Sequence, residues 1–181
     1  MPLPALAVSK IVALAAFHDV QKFDCGEPVR NSWLRHRALS NQRSDDTRTY
    51  VAAEGAHVSG FYALTVGSII RGSLPGPLRR NAPDPVSCVL LAQLAVDLSC
   101  QLQALGRRLV LDAMVRAVQI AELAGCRLFA VHPAREDLVG YYTRFGFETV
   151  QVSPSLMAMS LQRVRATLEA VQAAAAGRAP G

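Results

Sequence analysis

Between Val89 and Ala124 the spacing of apolar residues changes period once. Val89–Val96 is almost wholly apolar, interrupted only by Gln93, which predicts a strand covered on both faces. Helical spacing takes over at Leu105. Leu105, Leu109, Ala113, Met114, Ala117, Ile120, Ala121 and Ala124 fall on one side of a helix, with Arg107, Arg108, Asp112, Arg116, Gln119 and Glu122 on the other. Gly125 predicts its end, because glycine takes the left-handed cap conformation without a steric penalty. Asp97–Gly106 then forms the link between strand and helix. A strand that stops where a helix starts points free backbone N–H groups and the positive dipole end at one spot, which suits a phosphate.

The rest of the chain is read around this unit. Val8–Ala16 predicts a first strand, and Asp24–Pro28 a turn with proline in the first helical position. Val29–Gln42 follows as a helix, with Trp33, Leu34 and Ala38 on its inner face. Thr47–Glu54 and Val58–Ile69 are rich in β-branched and aromatic residues and flank Gly55-Ala56-His57, which predicts an antiparallel hairpin. Arg71–Pro85 holds two glycines and four prolines and reads as a loop. Beyond the central helix, Arg127–His132 reads as a strand and Ala134–Tyr142 as a helix. Glu148–Val152 and Leu156–Leu161 read as closing strands, and Val164–Ala176 as an alanine-rich helix. Gly177–Gly181 is expected to fray.

Composition sets the limits. The chain has 181 residues, 51% hydrophobic and 18% charged, which excludes a disordered protein and allows a sizeable core. No apolar run approaches the roughly 20 residues of a membrane span. Lys10 interrupts the apolar N-terminus, so a cytoplasmic protein without membrane association is expected. Cys25, Cys88, Cys100 and Cys126 have no metal-ligand spacing and read as small hydrophobes, and no metal site is expected. Charge is unevenly placed. From Arg30 to Arg80 there are eight arginines against Asp45, Asp46 and Glu54, so this segment holds as much net positive charge as the whole chain, +5. Such a stretch fits either a polyanionic partner, such as RNA, or a solvated surface.

Three segments carry a family resemblance. Leu94-Ala95-Val96-Asp97, followed by Gln101-Leu102-Gln103-Ala104-Leu105-Gly106-Arg107, resembles the acetyl-CoA loop of the GNAT N-acetyltransferases, Q/R-x-x-G-x-G/A. Gln101 and Gly106 match it, and Ala104 stands where the first motif glycine is usual. Leu138–Phe147 resembles the FYxxFGF block in the expected order and distance. Phe23-Asp24-Cys25-Gly26-Glu27-Pro28, Trp33-Leu34 and Ala38–Gln42 resemble the opening of one GNAT branch, the toxins of type II toxin–antitoxin pairs. Phe61–Leu64 and Leu78–Pro85 are similar to two further segments of that branch.

The resemblance implies an α/β (α+β) fold with a central mixed, mostly antiparallel sheet flanked by helices and a V-shaped splay at the central strand. A single domain over 1–161 would be followed by an alanine-rich extension over 162–181. The implied activity is an acyl-CoA-dependent N-acetyltransferase that moves acetyl from acetyl-CoA to the α-amine of aminoacyl-tRNA and blocks translation. Tyr142 would protonate the leaving thiolate, a role suited to a phenol with an ordinary pKa of about 10. Leu94, Ala95, Val96 and Gln101 through Arg107 would hold acetyl-CoA. Arg79 and Arg80, with Arg30, Arg35 and Arg43, would meet tRNA phosphates. The implied partners are a small antitoxin of ribbon-helix-helix type, operator DNA only through the antitoxin complex, and a second copy in a homodimer. Two other readings stand beside this one: a non-catalytic GNAT-fold binding protein with a decayed loop, and a GNAT acetyltransferase for a protein or small-molecule amine.

Overall fold

Runs of apolar and β-branched residues build the sheet, and helices flank it. The computed structural model describes residues 10–151 and 156–177. Within the described residues the strands are β1 (Lys10–Ala13), β2 (Arg48–Glu54), β3 (His57–Ile69), β4 (Val86–Val96), β5 (Leu128–Val131), β6 (Glu148–Val150) and β7 (Leu156–Ser160). The helices are α1 (Pro28–His36), α2 (Ala38–Arg43), α3 (Gly76–Arg79), α4 (Leu105–Ala124), α5 (Val139–Thr143) and α6 (Leu161–Ala176). One sheet takes the strand order β1-β2-β3-β4-β5-β7-β6. It is mostly antiparallel, and the parallel pair is β4 with β5, over Cys88–Leu91 and Leu128–Val131.

The chain divides into two compact units, Met1–Thr65 with Ala92–Ala113 and Val66–Leu91 with Met114–Gly181. In the first unit the core gathers Phe23, Leu34, Ala38, Val51, Phe61 and Ala95. Phe23 meets Phe61 edge-on at 5.4 Å, and Trp33 stacks on Phe61 at 5.9 Å. Burying a phenylalanine of this kind stabilises the fold by about 1.5–3 kcal/mol. Tyr62 is also buried, and its hydroxyl donates to Asp112 Oδ2 of α4 at 2.5 Å. In the second unit Ile69, Leu74, Leu78, Val86, Leu128 and Leu156 form the core. The start of α6 is anchored there. Its Ser160 cap accepts from the Arg163 N–H, and Leu161 and Val164 are buried.

Most predicted elements are present, with four informative differences. The expected helix Val29–Gln42 is two helices, with Arg37, its φ stretched to −118°, as the cap shared by α1 and α2. The expected loop Arg71–Pro85 contains a 3-10 turn at Arg71–Ser73 and the short helix α3, whose Leu78 is buried. Strand β4 begins three residues earlier than the apolar run, at Val86. The segment expected as helix from Ala134 is a 3-10 turn at Glu136–Leu138 followed by α5. Helix α4 has the predicted bounds and stops before Gly125, whose φ is +74°. Its buried stripe is Leu105, Leu109, Val110, Ala113, Met114 and Ala117, while Ile120 and Ala121 are half-buried and Ala124 is exposed. The start of the first predicted strand, Val152 at the end of another and the frayed tail after Gly177 lie outside the described residues.

Candidate active site

The loop that joins β4 to α4 is built by two carboxylates. Asp97 is buried at the end of β4, and its Oδ1 accepts from the Ser99 N–H at 3.0 Å and the Ser99 hydroxyl at 2.6 Å. Its Oδ2 accepts from the Asp24 N–H at 2.9 Å. These bonds fix the 3-10 turn Leu98–Cys100. Asp24 in turn accepts from the Gly26 N–H and from Asn31 Nδ2, each at 2.8 Å. Its carbonyl accepts from the Leu98 N–H at 2.8 Å.

Both carboxyls are held below the ordinary aspartate range. For Asp24 the cause is the Gly26 N–H, helped by Asn31. For Asp97 burial pushes upward, but the donors on Asp24 and Ser99 outweigh it. The fold therefore favours the ionised forms, while the unfolded chain titrates near about 3.9. Their contribution to stability is complete above that value and is lost as pH falls through the lower folded values, below about pH 4. An acid scan followed by circular dichroism should show stability falling in that window, and Asp97→Asn should flatten the fall.

After the 3-10 turn the backbone becomes left-handed twice, at Leu102 (φ +63°) and at Ala104 (φ +61°). Leu102, Gln103 and Ala104 are exposed. The Ala104 carbonyl then accepts from Arg108, which makes the first turn of α4. The N–H groups of Leu105, Gly106 and Arg107 lie in that turn, where a helix has no internal acceptors for them. The loop thus delivers backbone donors and a positive dipole end together, an arrangement that receives a pyrophosphate. The position where the motif has glycine does require positive φ, and alanine holds it at a cost of about 1 kcal/mol.

On β4 the three expected residues have two orientations. The Asp97 N–H bonds to the Ser59 carbonyl on β3, so by alternation Ala95 faces β3 while Leu94 and Val96 present their backbone groups to the other edge. Two of those carbonyls have partners in the fold. Leu94 accepts from Arg30 Nη1 at 3.2 Å, and Val96 from Gln101 Nε2 at 3.1 Å. Gln101 also reaches the Cys25 carbonyl at 3.3 Å, so its side chain closes the loop from within.

The arginines separate into two groups. Arg30 turns inward, paired with Glu27 at 2.8 Å and donating to Gln93 as well as Leu94. Arg35 donates to the Phe23 carbonyl at 2.6 Å, and its Nε is buried without a hydrogen-bond partner. Both were expected at tRNA phosphates, and the structure places both in the frame of the first unit. Arg43 is exposed at the end of α2. In the second unit Arg79 and Arg80 are exposed, Arg79 as the last residue of α3 and Arg80 as its cap, at the start of a turn. That turn is held from behind, since Arg71 donates to the Ala82 carbonyl and Arg127 to the Asn81 carbonyl.

Tyr142 belongs to the second unit. It lies on α5 and is buried, in edge-on contact with Tyr141 at 5.3 Å and Phe147 at 5.7 Å. Its carbonyl accepts from the Phe145 N–H at 3.0 Å, which turns the chain into Gly146-Phe147. Neither Cys25 nor Cys88 is a poised nucleophile. Burial raises the Cys25 thiol, and burial together with the nearby Cys126 thiol pushes Cys88 up to about 11. Among the described residues no group of three His, Cys, Asp or Glu could hold a metal ion. No helix of the described residues is long and apolar enough to cross a membrane.

The sheet order, the parallel β4–β5 pair and the phosphate-type loop into α4 define a GNAT-type acyltransferase fold. The chain belongs to the family of tRNA-acetylating toxins built on that fold. It is 39% identical over 150 residues to the tRNA-acetylating toxin of Mycobacterium tuberculosis, a match covering 83% of this chain and 90% of the relative. AtaT complexed with acetyl-methionyl-tRNAfMet superposes with a TM-score of 0.80 at 25% identity, covering 87% of this chain and 97% of that one. AtaTR bound with AcCoA superposes with a TM-score of 0.77 at 25% identity, covering 89% and 98%. No family model matches the chain.

Proposed function

We propose that this protein is the toxin of a type II toxin–antitoxin pair, an N-acetyltransferase that moves acetyl from acetyl-CoA to the α-amine of aminoacyl-tRNA and so blocks translation. One observation carries the reading. The left-handed turn through Leu102 and Ala104 leads into the N-terminus of α4, in a chain 39% identical to a tRNA-acetylating toxin.

The chemistry needs no enzyme nucleophile. The neutral α-amine attacks the thioester carbonyl carbon, the carbon–sulfur bond breaks, and the departing thiolate takes a proton. Tyr142 donates that proton, the acetylated amine loses its own to solvent, and solvent reprotonates the Tyr142 phenolate. The α-amine of an aminoacyl ester is less basic than a lysine amine, because the carbonyl withdraws charge. A dedicated base is therefore less necessary, in keeping with the exposed positions of His57 and His132. The N–H groups of Leu105, Gly106 and Arg107 bind the pyrophosphate, and the edge of β4 at Leu94 and Val96, whose carbonyls Arg30 and Gln101 hold, lines the pantetheine arm. Gln101 acts by closing the loop. Arg79, Arg80 and Arg43 meet tRNA phosphates, while Arg30 and Arg35 serve the frame behind the loop.

The wider assignment follows the toxin branch. A ribbon-helix-helix antitoxin neutralises the protein and carries it to operator DNA. The toxin acts in the cytoplasm as a homodimer, with 162–181 as an extension of a single catalytic domain.

Calorimetry with acetyl-CoA tests the loop. Wild type should bind in the micromolar range, and Ala104→Gly should differ by less than about tenfold, because the strain at stake is about 1 kcal/mol. No binding by wild type, with recovery in Ala104→Gly, would mean that the methyl obstructs the phosphate. The protein would then be a binding protein on an enzyme's fold.

A further inference from the structure

We infer that Asp97 and the Asp24–Gly26 turn form a clasp that positions the acetyl-CoA loop, with Asp97 as its central positioning residue. The inference rests on the reading of residues 101–107 as that loop.

The clasp joins segments 73 residues apart in sequence. Two bonds cross between them in opposite senses. Asp97 Oδ2 accepts from the Asp24 N–H at 2.9 Å, and the Asp24 carbonyl accepts from the Leu98 N–H at 2.8 Å. Gln101 adds a third link, from its amide to the Cys25 carbonyl at 3.3 Å. The turn itself is held by Asp24 Oδ1, which receives the Gly26 N–H and Asn31 Nδ2. Gly26 sits at φ +83°, and a Cβ there would meet the Leu98 side chain at 3.3 Å. The turn thus needs glycine both for its backbone and for the close approach of the loop.

The loop requires such a hold. Leu102 and Ala104 both keep a left-handed backbone that non-glycine residues resist, and both are exposed. Neither side chain can supply packing to fix the conformation. Asp97 fixes the segment just before them through both of its oxygens, and its bonds to Ser99 set the direction in which the chain leaves β4. Charge-assisted bonds of this kind are the stronger class. The clasp therefore acts on acetyl-CoA through the loop, without touching the substrate.

Asp97→Asn is the sharpest probe. It keeps the size but turns one acceptor into a donor that faces the Asp24 N–H or the Ser99 donors. Steady-state acetyl transfer should be measured with acetyl-CoA and aminoacyl-tRNA varied in turn, together with thermal melts and acetyl-CoA calorimetry. Asp97→Asn should raise the KM for acetyl-CoA by about tenfold or more, with the KM for aminoacyl-tRNA and kcat within about twofold. Ser99→Ala, which removes only the hydroxyl donor to Asp97 Oδ1, should raise the same KM about threefold. It carries the test if Asp97→Asn does not fold. A lowered melting temperature with both KM values unchanged in the folded variants would overturn the clasp and leave a purely structural aspartate. Wild type that fails to bind acetyl-CoA contradicts the loop reading itself, and the clasp goes with it. Wild type and Asp97→Asn binding equally well contradict the clasp alone.

Discussion

Replacing Tyr142 by phenylalanine is expected to lower kcat for acetyl transfer by about 10²–10⁴-fold while leaving acetyl-CoA affinity unchanged. The ring is buried between Tyr141 and Phe147, and phenylalanine preserves both edge-on contacts. The fold should therefore survive, and only the hydroxyl is lost. A departing thiolate without a proton donor is a poorer leaving group, and the loss corresponds to about 3–5 kcal/mol of barrier. Single-turnover transfer with wild type and variant, alongside calorimetry of each, separates chemistry from binding. A Tyr142→Phe enzyme that keeps a third or more of wild-type kcat would remove Tyr142 from the acid role.

The second large effect is expected on tRNA. The double change Arg79→Ala with Arg80→Ala should weaken aminoacyl-tRNA binding by roughly tenfold at low salt and reduce the salt slope by about two. Both guanidinium groups are on an exposed turn, and the Arg71 and Arg127 bonds that hold the turn are untouched by the change. Stability and the KM for acetyl-CoA should stay close to wild type. Binding isotherms across a salt series check this directly. An unchanged slope would place the tRNA backbone elsewhere, with Arg43 the next arginine to vary.

Much of the frame can be read from local pattern because local pattern causes it. The change from an unbroken apolar run to a 3.6-residue period marks β4 and α4, and Gly125 ends α4 for the reason glycine ends helices. The β2–β3 hairpin follows from two β-branched runs around Gly55. Short helical turns are harder to see. Residues 76–79 make only one turn, so no period develops, and the prolines point to a loop.

The site is less legible than the fold. Charge says that an arginine is cationic, but not where its long side chain goes, and Arg30 and Arg35 go to backbone carbonyls within the first unit. Asp112 falls on the polar face of α4 by spacing, yet it accepts a bond from the buried Tyr62. The partnership of Asp24 and Asp97 has no local signature, because it is made across the fold. The missing motif glycine at Ala104 does mark the strained position, and positive φ there decides that the requirement is conformational. Leu102 has the same conformation with nothing in its identity to announce it.

Acetyl transfer to charged tRNA can be followed in a single reaction. The protein is incubated with labelled acetyl-CoA and aminoacyl-tRNA, and the label on the amino acid is followed after RNA recovery. Acetyl groups are expected on the α-amine of the aminoacyl ester, with no transfer to uncharged tRNA. Acetyl-CoA binding without any label on charged tRNA, or label appearing instead on a protein or small-molecule amine, would contradict it.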